Sequence, residues 1–324
     1  MSRTSATNNL NWIVRNGFLN NTCQSKLAEA GVVTAMFEAC YDGDLSVCRF
    51  LWKHGAHEDV CSKDACGRSP MWVACFNGNL CIAKWLFEAG AAGDIRTKDL
   101  DEGWTPLHAA CLNGHLDVAR WLVAVGARED YQTQDECGRI PLHACCENDH
   151  VHVATWLLEI GWPRDLSVRD LGGWTPLFTS VYYGRFRMAQ WLFDKGATAD
   201  IRTATNPEEN LCPMWIACMR GHLHMAQWLY DVGAAQDIRT KDSRGWTPVH
   251  AACRWGHLGI AQWLCEVGAA PDIKTPTEAG ETHFKQGSIF GLCRLPCLVR
   301  FFLLQGGHRC MPLAATSTTT LSCG

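Results

Sequence analysis

The chain has 324 residues, 47% of them hydrophobic and 19% charged, with a formal net charge of −4, so it can bury a large core but offers no positive excess to phosphate backbones or anionic lipid. No run of five or six like charges occurs, which argues against nucleic acid and against a membrane surface as partners. Its 19 cysteines are odd in number in a long chain, a pattern that excludes the disulfide framework of a small secreted domain and predicts reduced thiols in a cytoplasmic or nuclear setting.

Two columns recur along the chain. Pro70, Pro106, Pro141, Pro176, Pro213 and Pro248 are separated, by subtraction, by 36, 35, 35, 37 and 35 residues, and Trp85, Trp121, Trp156, Trp191, Trp228 and Trp263 step by the same intervals. Residues 1–30 carry only a hint of the pattern, Trp12-Ile13-Val14 before Gly17, which suggests half a unit. Arg15, Asn16 and Gly17 interrupt the apolar stretch that a secretory leader requires. Residues 31–63 read as a degenerate first unit, because Thr34 and Gly43 lie 35 residues before Ser69 and Gly78, and Arg49-Phe50-Leu51 precedes Gly55.

Residues 64–275 hold six full units. In the second of them, Thr105-Pro106 predicts a capped helix start with proline at the first helical position, and Asn113-Gly114 marks that helix's end. Val118, Trp121, Leu122 and Val125 then form one apolar stripe of a second helix over 116–125, stopped by Gly126. Residues 127–138 lack helical periodicity. Gly138, like Gly67, Gly103, Gly173, Gly245 and Asn210, stands three residues before its unit's proline, where a positive-φ turn is expected. Further on, Gly280, Thr282 and Gly291 lie 35 residues after Gly245, Thr247 and Gly256, so 276–307 reads as a worn C-terminal cap repeat. Its apolar run from 288 to 307 also suits a hydrophobic anchor or a misread end of the coding sequence. The tail, 308–324, is rich in Ser and Thr without period and is expected to be disordered.

Thr105-Pro106-Leu107-His108, then Ala109-Ala110, Gly114-His115 and Gly126-Ala127 resemble the signature of the ankyrin repeat. That resemblance, over roughly residues 31–275, implies an all-α solenoid of stacked helix-turn-helix units with β-turn or hairpin fingers, no catalysis and no cofactor. It also implies a monomer that serves as a protein-binding scaffold on the concave finger/helix-one face. A substrate-recruiting or regulatory subunit of an enzyme complex, such as a ubiquitin ligase, is the alternative. The family's period is about 33 residues; here it is nearer 35, and the surplus after the second helix, as in Gly90-Ala91-Ala92-Gly93-Asp94-Ile95, implies longer fingers or looser links.

The pairs His108/Cys111, His143/Cys146 and His250/Cys253 stand at i, i+3 on a helix, within reach of a thiolate–base couple or half a zinc site. Both members are repeat columns, and packed helices are too far apart to bring four such ligands together, so a structural role is expected. His115, His150, His222 and His257 are expected to start the second helix of their units. The tryptophan column falls in the apolar stripe and is assigned to core or inter-repeat packing. For partner contact, the resemblance points to fingertip residues Arg68, Trp104, Arg139, Trp174 and Trp246 and to the end of helix one, where Tyr182, Tyr183, Arg220, Arg254 and Trp255 lie. These are the residue types that dominate interface hot spots. They are densest in units four to six, so docking is expected on that half.

Overall fold

The computed structural model describes residues 33–161, 166–206 and 208–274; the half unit within 1–30, the cap at 276–307 and the tail at 308–324 lie outside the described residues. Among the described residues, fourteen α-helices pair in chain order. A leading pair, α1 (Ala35–Asp42) and α2 (Leu45–Lys53), precedes the six units. These are α3 (Pro70–Phe76) with α4 (Leu80–Glu88), α5 (Pro106–Leu112) with α6 (Leu116–Ala124), and α7 (Pro141–Glu147) with α8 (Val151–Glu159). They continue with α9 (Pro176–Tyr182) and α10 (Phe186–Asp194), α11 (Pro213–Arg220) and α12 (Leu223–Leu229), and α13 (Pro248–Trp255) and α14 (Leu258–Leu264). Among the described residues there is no strand.

Helix one starts as its sequence requires. The Thr105 hydroxyl accepts the His108 backbone N–H, and Pro106 fills the position whose missing N–H costs nothing. Its inner side carries small residues that let neighbouring units approach closely: Ala74, Ala110, Ala217 and Ala252 are fully buried, as are the thiols of Cys40, Cys75, Cys111, Cys146 and Cys218. Burial pushes the Cys146 thiol up to about 12, so this column packs as small hydrophobes rather than supplying nucleophiles. Helix two adds Leu86, Leu122, Leu157, Leu192, Leu229 and Leu264, each without accessible surface.

The fingers are β-turns closed by a carboxylate. Asp99 accepts the backbone N–H groups of Glu102, Gly103 and Trp104 through one oxygen, and Asp64, Asp135, Asp170 and Asp242 serve the same way in theirs. The expected positive-φ turn is present in each, with Gly103 at φ 72° and Asn210 at φ 53°. Single backbone bonds join neighbouring fingers, such as Glu136 N–H to the Glu102 carbonyl.

One expectation is corrected. The surplus residues after helix two do not loosen the links. They fold into 3-10 turns, among them Ala91–Arg96, Arg128–Gln132, Thr198–Arg202 and Ala235–Arg239, and these are bolted together. Arg96 meets Asp130 at 2.8 Å, Arg202 meets Asp237 at 3.2 Å and Arg239 meets Asp272 at 2.8 Å, each guanidinium reaching a buried carboxylate of the next turn. The tryptophan column divides between the two expected settings: Trp156 is 7% exposed, and Trp85, Trp121, Trp191, Trp228 and Trp263 are half-buried. Those five pack against the core, four of them edge-on against an aromatic ring of the preceding repeat, as Trp121 does on Phe87 with centroids 5.9 Å apart.

Candidate partner-binding face

The fingertips and the ends of helix one form one continuous face, and the bonds between units decide which of its side chains are free. In helix one the third residue crosses to the next fingertip. Trp72 and Trp215 donate through Nε1 to the carbonyls of Trp104 and Trp246, while Nε2 of His108 and His143 bonds the carbonyls of Arg139 and Trp174. Nδ1 of His108 is engaged by Thr105. Burial depresses both histidines to about 4, which holds them neutral and structural. Among the described residues no three His, Cys, Asp or Glu side chains come together in a way that could hold a metal.

The carbonyl at the C-terminal end of each helix one, an orphan acceptor by position, is satisfied by the following unit in two different ways. In units one to three an asparagine does it: Asn77, Asn113 and Asn148 donate to the carbonyls of Tyr41, Phe76 and Leu112. In units four to six the donor moves two residues on, to Arg185, His222 and His257, which reach the carbonyls of Glu147, Tyr182 and Met219 at 2.7, 3.2 and 2.9 Å. The asparagine's place is thereby released, and Tyr183, Arg220 and Trp255 occupy it. The histidines of this column therefore clasp the preceding unit instead of capping their own helix, which makes no side-chain cap bond to them. Close approach is built in: a Cβ on Gly184, at φ 70°, would lie 2.6 Å from Cε1 of His222.

The ten residues singled out in the sequence fall into two groups. Arg68 and Arg139 are fully engaged: Arg68 pairs with Asp64 at 2.7 Å, and Arg139 with Asp135 and Glu102 while lying over the Trp104 ring. The Trp104 indole N–H donates to Asp135. In units four to six, Trp174 packs against Tyr182 with centroids 4.7 Å apart, and the Arg220 guanidinium lies 4.4 Å above Tyr182. Arg244 and Arg254 flank Trp246. Arg220 and Arg254 are exposed, and Trp255 is 61% exposed. Tyr183 is half-buried beside Glu147, whose carboxylate, after burial, raises the phenol's pKa.

No local motif signals a groove of about 280 Å³ on the first half of the same face, bordered by Tyr41, Phe76, Trp104, Arg68 and the carboxylates of Asp101 and Glu102. Its apolar wall brings together side chains 35 residues apart, and its rim mixes carboxylates with a guanidinium.

Residues 6–99, 37–135, 126–204 and 199–275 match the family model described as ankyrin repeats in three copies. No curated protein matches the chain.

Proposed function

The chain belongs to the ankyrin-repeat family, whose repeats are generally protein–protein interaction modules, and from that premise we propose that it is a non-enzymatic scaffold holding a partner protein on the finger/helix-one face of units four to six. One observation carries this reading: Arg185, His222 and His257 take over the carbonyl bond between units, so Tyr183, Arg220 and Trp255 stand where an asparagine would have to make it, with Arg220 and Trp255 exposed. A position relieved of that bond and filled by Tyr, Arg and Trp has the composition of an interface centre.

Affinity capture with the full chain, followed by mass spectrometry, supplies the partner for the test. Trp255→Asn restores the residue that the first three units carry there, so the melting temperature stays within about 2 °C while partner affinity falls at least about thirtyfold. Arg220→Glu acts in the same direction. A captured partner that binds both variants as tightly as the parent chain places the docking surface elsewhere.

A further inference from the structure

The arginines of this face differ in kind between its two halves. Arg68 and Arg139 are neutralised within their own fingers, by Asp64 and Asp135. Arg220 and Arg254 lie over the rings of Tyr182 and Trp246, and no carboxylate among the described residues is within ion-pair distance of either. Nearby acids are committed or remote. Asp242 pairs with Arg244 and closes its finger, Glu147 lies beside Arg139 and Tyr183, and Glu208 and Glu209 belong to the fifth finger loop rather than to helix one. A guanidinium laid on an aromatic ring keeps its edge of N–H donors free, and that edge fits a carboxylate in bidentate fashion. On the first half Arg68 and Arg139 are already paired with carboxylates, and Asp101 borders the groove, so an acidic ligand finds neither guanidinium open there and is drawn to units five and six.

We infer that the partner element seated on units four to six is an extended acidic segment, its carboxylates meeting Arg220 and Arg254 and an apolar side chain covering Trp255; this rests on the docking reading above. The spacing follows from the stack. Adjacent helices pack about 8–10 Å apart and an extended chain advances about 3.3 Å per residue, so the two carboxylates stand about three residues apart. Single-stranded nucleic acid also pairs arginine with aromatic rings, but the chain's net charge of −4 and the presence on this half of the face of just Arg220 and Arg254 as stacked guanidiniums without a carboxylate, among the described residues, disfavour it.

A random nonapeptide library selected on the full chain tests the inference. Expected are sequences with Asp or Glu at two positions about three apart. A selected peptide should lose at least about tenfold in affinity when its acids become Gln, and as much on the Arg220→Gln/Arg254→Gln chain, whose melting curve is unchanged. Selection of neutral or basic peptides, no selection at all, acidic peptides indifferent to the double variant, or displacement of the peptide by a single-stranded oligonucleotide at equal concentration each overturns it. Neutral peptides that still lose affinity on Trp255→Asn leave the docking face standing and remove only the acidic partner. Selected peptides indifferent to Trp255→Asn as well remove both.

Discussion

His108 and His143 are buried, neutral and bonded across the units, and their depressed pKa of about 4 has a measurable sign. The unfolded chain takes up protons near pH 6.5 and the folded one only near 4, so stability is complete above pH 6.5 and is lost as pH falls through that window. Between pH 7 and 5 each histidine removes about 2 kcal/mol. Urea midpoints should fall accordingly, and the His108→Gln/His143→Gln chain should show a flatter pH profile at a lower plateau; an unchanged slope would assign the acid sensitivity to other groups. The tryptophan column offers a second check at this scale. Trp156, 7% exposed, should cost about 3–5 kcal/mol on truncation to alanine, whereas half-buried Trp121 should cost about 2 kcal/mol. Equal losses would contradict the burial pattern.

The 3-10 turns form a ladder whose arginine rungs are replaced at Cys61, Gln132 and Ser167, the last by a hydroxyl bond to Asp200. In the first turn, Glu58–Cys61, the place of Arg96 is taken by Cys61, and the facing carboxylate of Asp94 keeps an unpartnered buried oxygen and a pKa raised by burial. Cys61→Arg should complete the rung and stabilise the protein by about 1 kcal/mol, and Arg96→Cys should cost about the same; differential scanning calorimetry reads both. The ladder also shows what one sequence can disclose about its own elements. Helix starts at Thr105-Pro106 and the positive-φ turn at Asn210 were legible, since each rests on local backbone chemistry. The rungs were not: Arg96 and Asp130 look like ordinary surface charges until 34 residues of chain bring them together. Tyr183, Arg220 and Trp255 could be named from residue type alone. Why they need not bond the preceding unit's carbonyl depends on Arg185, His222 and His257 reaching back a whole unit.

In the whole molecule, each unit completes hydrogen bonds that its neighbours leave open, so stability depends on nearest neighbours. Removing unit six, residues 245–274, should therefore lower the denaturation midpoint without abolishing the helical spectrum, because units one to five keep their contacts; circular dichroism during urea titration distinguishes this from collapse of the whole array.

Among the joints between the six units, one departs from the rest. Where Trp72, His108, His143 and Trp215 tie helix one to the next fingertip, unit four carries Phe178, which has no hydrogen to give, and the fifth finger holds a Thr205 hydroxyl in place of the aspartate. The Leu211 carbonyl is left to its own finger's Thr205 N–H. The joint between units four and five, still crossed by bonds from Asn206 to the Leu171 carbonyl and from Arg169 to the Ala204 carbonyl, is therefore expected to be the most compliant within the six units, and it lies between Tyr183 and Arg220. Amide exchange should be fastest there, over residues 205–212, and a bound partner should slow it, so that the proposed docking half can adjust its pitch to a ligand while the first three units stay rigid.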